Sequence, residues 1–372
     1  MQRTKPPFRA DHVGSILRTA PLKAARARRE AGEISPEELR AVEDAEIRKI
    51  IAQQEEAGLQ LATDGEFRRA WWHFDFLAAL DGVDLVVGEK AIQFHGVTTR
   101  PHSLNISGSV DFSDHPMLAD FEFLKDNTSV TPKMTIPSPS VLHFRMGRNA
   151  ISRDLYPDLD IFFADTANAY RKAVQAFAAV GCRYLQFDDT VWAYLCSEEQ
   201  RDQARGRGDD PDALPKIYAD MINTAVADRP DDMAITMHVC RGNFRSSWIS
   251  EGGYEPVAEV MFSDLNIDGY FLEYDTERAG GFEPLRFVPK GEKQIVLGLI
   301  TSKSGTLEAR EDVESRIEEA TQYVALDQLC LSPQCGFAST EEGNILTEDQ
   351  QWAKLKEIVG ISREMCGEAR SA

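Results

Sequence analysis

No stretch of about 18 consecutive apolar residues occurs in the 372-residue chain, so the sequence offers no helix able to span a bilayer. The opening residues, Met1-Gln2-Arg3-Thr4-Lys5-Pro6-Pro7, lack the apolar segment of a secretory signal. Cysteine is sparse. Its six positions (182, 196, 240, 330, 335 and 366) show no disulfide-framework spacing, and reduced thiols in a cytoplasmic setting are the expectation. Positive charge is in short supply too: 41 Lys and Arg face 61 Asp and Glu, for a formal net charge of −20. That surplus argues against nucleic acid or an anionic membrane as a partner. Low-complexity linkers and repeats with a period of roughly 20–50 residues are absent. What is left is an ordinary globular composition, 42% hydrophobic and 27% charged, read as one domain over residues 1–372 and compatible with a homo-oligomer.

Short apolar runs alternate with long amphipathic ones. The runs at 8–14, 59–63, 133–137, 184–187, 234–238, 269–272, 294–300 and 328–331 read as strands. Helical patterns cover 35–58, 159–180, 211–227, 307–325 and 348–366. The first is the clearest: Ser35 can cap it, Pro36 suits its first turn, Glu38 completes a capping box and Gly58 stops it. Eight strands with intervening helices predict an α/β fold, a (β/α)8 TIM barrel. Residues 83–112 break the rhythm and read as a β-hairpin insertion. Strands at 83–87 and 91–97 flank Gly88-Glu89-Lys90, with a third at 104–110. The insertion is expected to lie over one barrel mouth or to buttress an edge.

Barrel enzymes keep their chemistry at the C-terminal ends of the strands. Here those ends carry Ser15, Glu66, Asp188, His238 with Cys240, Glu273, Lys303 and Cys335. His238 and Cys240, two apart on an extended segment, point to one side. One His, two Cys and one Glu form a plausible tetrahedral zinc set. Each residue alone has an ordinary reading: a satisfied strand-end histidine, a small buried cysteine, a glutamate paired with Arg278. Structural zinc sites generally use closely spaced ligand pairs, whereas these ligands come from three strand ends, which suits catalysis better. Zinc with two thiolates and a carboxylate carries net charge −1, which makes it a poor Lewis acid for water. It still holds a thiol as thiolate, poised to attack an activated carbon, most simply a methyl group. Trp71 and Trp72, which follow Glu66, either wall a pocket there or pack a loop helix.

These motifs resemble those of the cobalamin-independent methionine synthase family, in its C-terminal catalytic half and in its shorter single-domain homologues, over about residues 9–337. His238-Val239-Cys240 is similar to the family's His-x-Cys pair, and Glu273 and Cys335 follow in matching order. Val13-Gly14-Ser15 resembles its Ile-Gly-Ser, Asp64-Gly65-Glu66 its Gly-Glu segment, and Gln186-Phe187-Asp188-Asp189 its Gln-x-Asp-Glu-Pro. The resemblance implies a (β/α)8 barrel that transfers a methyl group to homocysteine, giving methionine. It implies Zn2+ on His238, Cys240, Glu273 and Cys335, with Ser15 holding the amino-acid carboxylate and Glu66 and Asp188 the ammonium. Asp188 rather than Asp189 fits the register.

The departures shape the expectation. The additional N-terminal barrel of the long enzymes is not in this sequence, which leaves the methyl donor open among a folate, a corrinoid and a small methylated metabolite. Lys303 stands where the family places its proton-donating histidine, and with Asp188 it is the residue expected to act in the chemistry. Arg241-Gly242-Asn243 is not the family's sequence; Arg241 is read as binding an anionic substrate or donor, or as solvating its loop. No tryptophan marks a pterin platform near 138–144. Two other readings stand beside this one: alkyl transfer of the epoxyalkane–coenzyme M transferase kind, and a non-catalytic barrel that binds zinc or a thiol.

Overall fold

Six parallel strands make the central sheet, each beside its neighbour in sequence: Met134–Pro137, Tyr184–Asp189, Ala234–Val239, Gly269–Glu273, Gln294–Ile300 and Leu329–Pro333. The structure is a computed structural model that describes residues 3–87, 93–94, 97–98, 102–144 and 147–365. All six are almost wholly buried along their length, as expected when helices cover a parallel sheet. Two further segments complete the ring. Leu61–Ala62 pairs in parallel with Thr131–Pro132, just ahead of Met134. Ala10 bridges Leu331, with Asp11 N donating to Leu331 O (3.0 Å) and Leu331 N to Arg9 O (2.8 Å). Thr63 Oγ1 donates to Gly14 O (2.7 Å) and Ile16 N to Gly65 O (3.1 Å), which ties the first segment to the second. Eight segments in sequence order around one ring make the (β/α)8 barrel.

The first two strands are shorter in the ladder than the apolar runs that announced them, and the third is interrupted at Lys133. That side chain turns into the barrel. Its ammonium donates to Asp11 Oδ1 (3.0 Å) and His12 O (2.6 Å) and lies 4.1 Å from the centre of the Phe271 ring. A buried lysine is tolerable because those acceptors replace its water.

The helices follow the expected signals. Ser35 Oγ accepts from Glu38 N (3.2 Å), and the Glu38 carboxylate accepts from Ser35 N (2.8 Å), closing the capping box of Pro36–Glu56. Leu159–Ala179, Leu214–Val226, Arg310–Ala320 and Glu348–Met365 fill the remaining expected positions, with Cys366 outside the described residues. The helices Ala20–Glu30, Pro116–Asn127 and Glu198–Arg207 were not singled out by the sequence pattern. Among the described residues no helix is long and apolar enough to cross a membrane.

The insertion differs from its expected pairing. Among the described residues, Asp81–Val87 runs antiparallel to His102–Asp111, while Gln93–Phe94 pairs with Val97–Thr98. The expected Gly88-Glu89-Lys90 turn lies outside the described residues. Alternation explains the partner, since Leu104, Ile106 and Val110 are buried while Asn105 and Ser107 face out. The hairpin packs against the outer layer. Val110 N donates to the Tyr156 hydroxyl (2.8 Å), and Lys172, on the helix Leu159–Ala179, pairs with Asp111 (2.6 Å).

Candidate active site

The strand ends bring His238, Cys240, Glu273 and Cys335 together. One ligand atom from each lies within 4.8 Å of every other, and all four residues are buried. The sulfurs of Cys240 and Cys335 are 3.6 Å apart, and His238 Nε2 is 3.7 Å from Glu273 Oε1. Main-chain donors hold the anionic groups: Arg241 N to Glu273 Oε1 (3.1 Å) and Gly242 N to Cys240 Sγ (3.3 Å). Glu273 Oε2 is buried with no hydrogen-bond partner among the described residues.

Proton sharing within the cluster shows the same crowding of negative charge. Burial works to raise Cys335, yet the Cys240 thiol and the His238 imidazolium hold it down at about 5. The hydrogen bond to Cys335, together with burial, pushes Cys240 well up. Burial opposes a charge on Glu273 as well, but the Lys303 ammonium, then His238, keep it at about 2. Two sulfurs this close do not both ionise unless a cation neutralises them. Two soft donors, an imidazole and a carboxylate with a free buried oxygen fit a zinc ion.

The cluster opens onto a cavity whose wall includes Val13, Ser15, Glu66, Trp71, Trp72, Asp188, Thr190, His238, Cys240 and Cys335. Ser15, Glu66 and Asp188 are thus brought to the metal-ligand cluster. Asp188 Oδ1 accepts from Gln186 Nε2 (2.7 Å), which also reaches Val13 O (2.6 Å), and stands 3.7 Å from His238 Nδ1. Strand alternation sends Asp189 elsewhere: its Oδ1 accepts from Val191 N (2.5 Å) and Trp192 N (3.3 Å) at the start of the short turn that follows. Glu66 sits in a left-handed backbone conformation (φ 59°), directly after Gly65 (φ 67°). Its N–H donates to Asp64 Oδ1 (2.9 Å), and its Oε1 accepts from Thr135 Oγ1 (3.0 Å). Strain of this kind in a non-glycine residue marks functional sites. Burial raises the Glu66 carboxyl to about 7, with Arg69 pulling it down and Asp188 pushing it up.

Ser15 is seated by the last strand's loop. Ala338 N donates to Ser15 Oγ (3.2 Å) and Phe337 N to Ser15 O (3.0 Å). Gly336 leaves room for it, because a Cβ there would lie 1.9 Å from Ser15 Oγ.

Two expected residues stand apart from that wall. Lys303 has its ammonium nitrogen buried, without a hydrogen-bond acceptor among the described residues. Arg241 is 1% exposed, and its guanidinium lies against Tyr254 rather than on the cavity wall. Asn243, Ser339 and Thr340 line the cavity without having been singled out in the sequence, as does Thr190. Their polarity resembles that of any loop, and only the signal "one or two residues beyond a strand end" could have found Thr190. Trp71 and Trp72 both line the cavity, and Trp71 also stacks on Phe244 (5.8 Å).

Comparison with known proteins identifies the family. Residues 8–359 match the family model described as "Cobalamin-independent synthase, Catalytic domain". YxjG of Bacillus subtilis (strain 168) is 56% identical over 367 residues, covering 98% of this chain and 96% of that one. A methionine synthase of Pyrococcus horikoshii is 21% identical, over 89% of this chain and 86% of its own length. A crystal structure from Listeria monocytogenes, named "Putative Vitamin-B12 Independent Methionine Synthase", superposes with a TM-score of 0.81 at 46% identity, covering 98% of this chain and 99% of that one.

Proposed function

The chain belongs to the cobalamin-independent synthase catalytic-domain family, and on that premise we propose that it transfers a methyl group to the thiol of homocysteine, giving methionine, with zinc held by His238, Cys240, Glu273 and Cys335. One observation carries the reading: the four donor atoms lie within 4.8 Å of one another, and three of the four residues, His238, Cys240 and Cys335, line the same cavity as Ser15, Glu66 and Asp188. A zinc ion bound there supplies the positive charge that favours the ionised form of an incoming thiol.

The chain's own residues do the rest. Glu66 and Asp188 present two carboxylates to the ammonium group of the substrate. Ser15 turns its hydroxyl toward the carboxylate. Asp188 also faces His238 Nδ1 and so orients the imidazole. Trp71 and Trp72 cover apolar surface and keep water from the sulfur. Lys303 stands off the cavity wall beside Glu273, and it is the residue the family resemblance offers for returning a proton to the group that loses the methyl. The pair of buried carboxylates favours homocysteine over a thiol that carries a sulfonate and no ammonium, because like charges would meet there.

The test is a donor screen. Zinc-loaded protein is incubated with homocysteine and, in turn, a monoglutamyl methylfolate, a methyl-corrinoid and small S-methyl metabolites, and methionine is measured. Calorimetric titration compares homocysteine with coenzyme M. Methionine from one donor and tighter homocysteine binding support the reading. No methionine from any donor, together with tighter binding of coenzyme M, removes it.

A further inference from the structure

Arg241 is a cation in a place that cations ordinarily avoid. It is 1% exposed, and the polar group its guanidinium faces is the Tyr254 hydroxyl, too far off line for a full hydrogen bond from Nε, Nη1 or Nη2. Burying a guanidinium without acceptors is costly, so its position calls for compensating negative charge close by. The guanidinium carbon lies 4.5 Å from the centre of the Tyr254 ring. The hydroxyl of that tyrosine accepts from Glu273 N (3.0 Å) and donates to Glu273 O (3.3 Å). The main chain of Arg241 reaches the same residue, its N–H donating to Glu273 Oε1 (3.1 Å). Its carbonyl accepts from Ile249 N and Ser250 N (3.0 Å each), which fixes that stretch of loop. Gly242 (φ 95°) permits the fold-back, since a Cβ there would lie 2.9 Å from Ile249 N. Two arms therefore converge on Glu273, one through the backbone of Arg241 and one through the Tyr254 hydroxyl beneath its guanidinium.

We propose that Arg241 and Tyr254 form a bracket that positions Glu273 as a metal ligand and offsets the excess negative charge of the ligand set. This makes Arg241 a positioning residue for the metal centre and not a contact for substrate. The charge count supports it. Two thiolates and one carboxylate around a divalent cation leave −1, and the Arg241 guanidinium stands with the Lys303 ammonium among the buried cations that offset it. In a water-poor interior, such an offset weighs far more than on a surface. Residues that orient metal ligands in this way commonly change metal affinity by about 10–100-fold when replaced.

The inference rests on the metal reading above, and the test separates the two. Zinc affinity is measured by competition with a chromophoric chelator for the wild type, Arg241→Met, Arg241→Lys and Tyr254→Phe. The cobalt(II)-loaded proteins give absorption spectra that report ligand geometry, and circular dichroism checks folding. The expectation is that Arg241→Met weakens zinc binding by about 10–100-fold and shifts the cobalt spectrum. Arg241→Lys, which keeps the charge, recovers most of the affinity, and Tyr254→Phe loses roughly tenfold. A wild type that binds no zinc defeats the metal reading itself. A wild type that binds zinc, with Arg241→Met equal to it in affinity and spectrum, defeats the bracket. If Arg241→Met does not fold, Tyr254→Phe decides: unchanged affinity and spectrum there overturn the proposal.

Discussion

Cys240 and Cys335, 95 positions apart in the chain, hold their sulfurs 3.6 Å from each other in a buried wall of the cavity. Such a pair is electrostatically expensive unless a cation sits between its charges. Zinc binding is therefore expected to be a large part of the stability of this region. A ligand that binds only the folded state, present at about 1,000 times its dissociation constant, adds about 4 kcal/mol. Thermal unfolding of metal-stripped and zinc-reconstituted protein measures this. A rise of several degrees with zinc is expected, and it should vanish in Cys335→Ala. Equal midpoints with and without zinc would exclude the site.

Glu66 carries a pH dependence of definite sign. Its carboxyl lies at about 7 in the folded protein because it is buried, above the usual carboxylate value of 4.5. Between those values the folded state binds more protons than the unfolded chain. Stability attributable to this group thus falls as pH rises from about 4.5 to about 7 and levels off above. Ligand binding runs the other way, because the ammonium group needs the ionised carboxylate. Homocysteine affinity should rise as pH passes 7. In Glu66→Gln that step should disappear, with affinity lower by about 10–100-fold, as for a lost charge-assisted hydrogen bond. Calorimetry across pH 6–8 reads both; an unaltered profile in the variant removes Glu66 from the ammonium site.

Gly336 is the seat of Ser15. A methyl group at this position would fall 1.9 Å from Ser15 Oγ, so something must move. Gly336→Ala is expected to raise KM for homocysteine at least as much as Ser15→Ala does, roughly tenfold or more, while the zinc content stays near the wild-type value. A Gly336→Ala enzyme with normal KM would show that the placement of Ser15 does not matter to binding.

Lys303 is tested by charge and by proton. Lys303→Met should lower kcat by about 10²–10⁴-fold, the range of a lost general acid, with KM for homocysteine changed far less. Lys303→His should recover part of the rate with a shifted pH optimum. If kcat holds in Lys303→Met, the lysine serves only as a counter-charge to Glu273.

The sequence carried much of this site, for a specific reason. Ligands at strand ends inherit their direction from the two-residue alternation, so His238 with Cys240, and Asp188 rather than Asp189, were legible. The capping box at Ser35 was legible because both partners are local. Long-range packing was not. Nothing local says that Lys133 turns inward to Asp11 and breaks the third strand. The strand Asp81–Val87 pairs with His102–Asp111, and a local reading favours the nearer run. Arg241 beside two ligands looked like a group for an anion, and only the tertiary fold presses it onto Tyr254. Trp71 and Trp72 illustrate the same limit, since a loop aromatic and a pocket wall have one signature in sequence.

The seam between Ala10 and Leu331 has a consequence during synthesis. Ser15 is made early, whereas Cys335 and its seat, Gly336 to Ala338, are made late. A nascent polypeptide still threaded through the ribosome at residue 330 holds neither a finished ring nor its fourth ligand, so a prematurely terminated product should be unable to sequester zinc tightly.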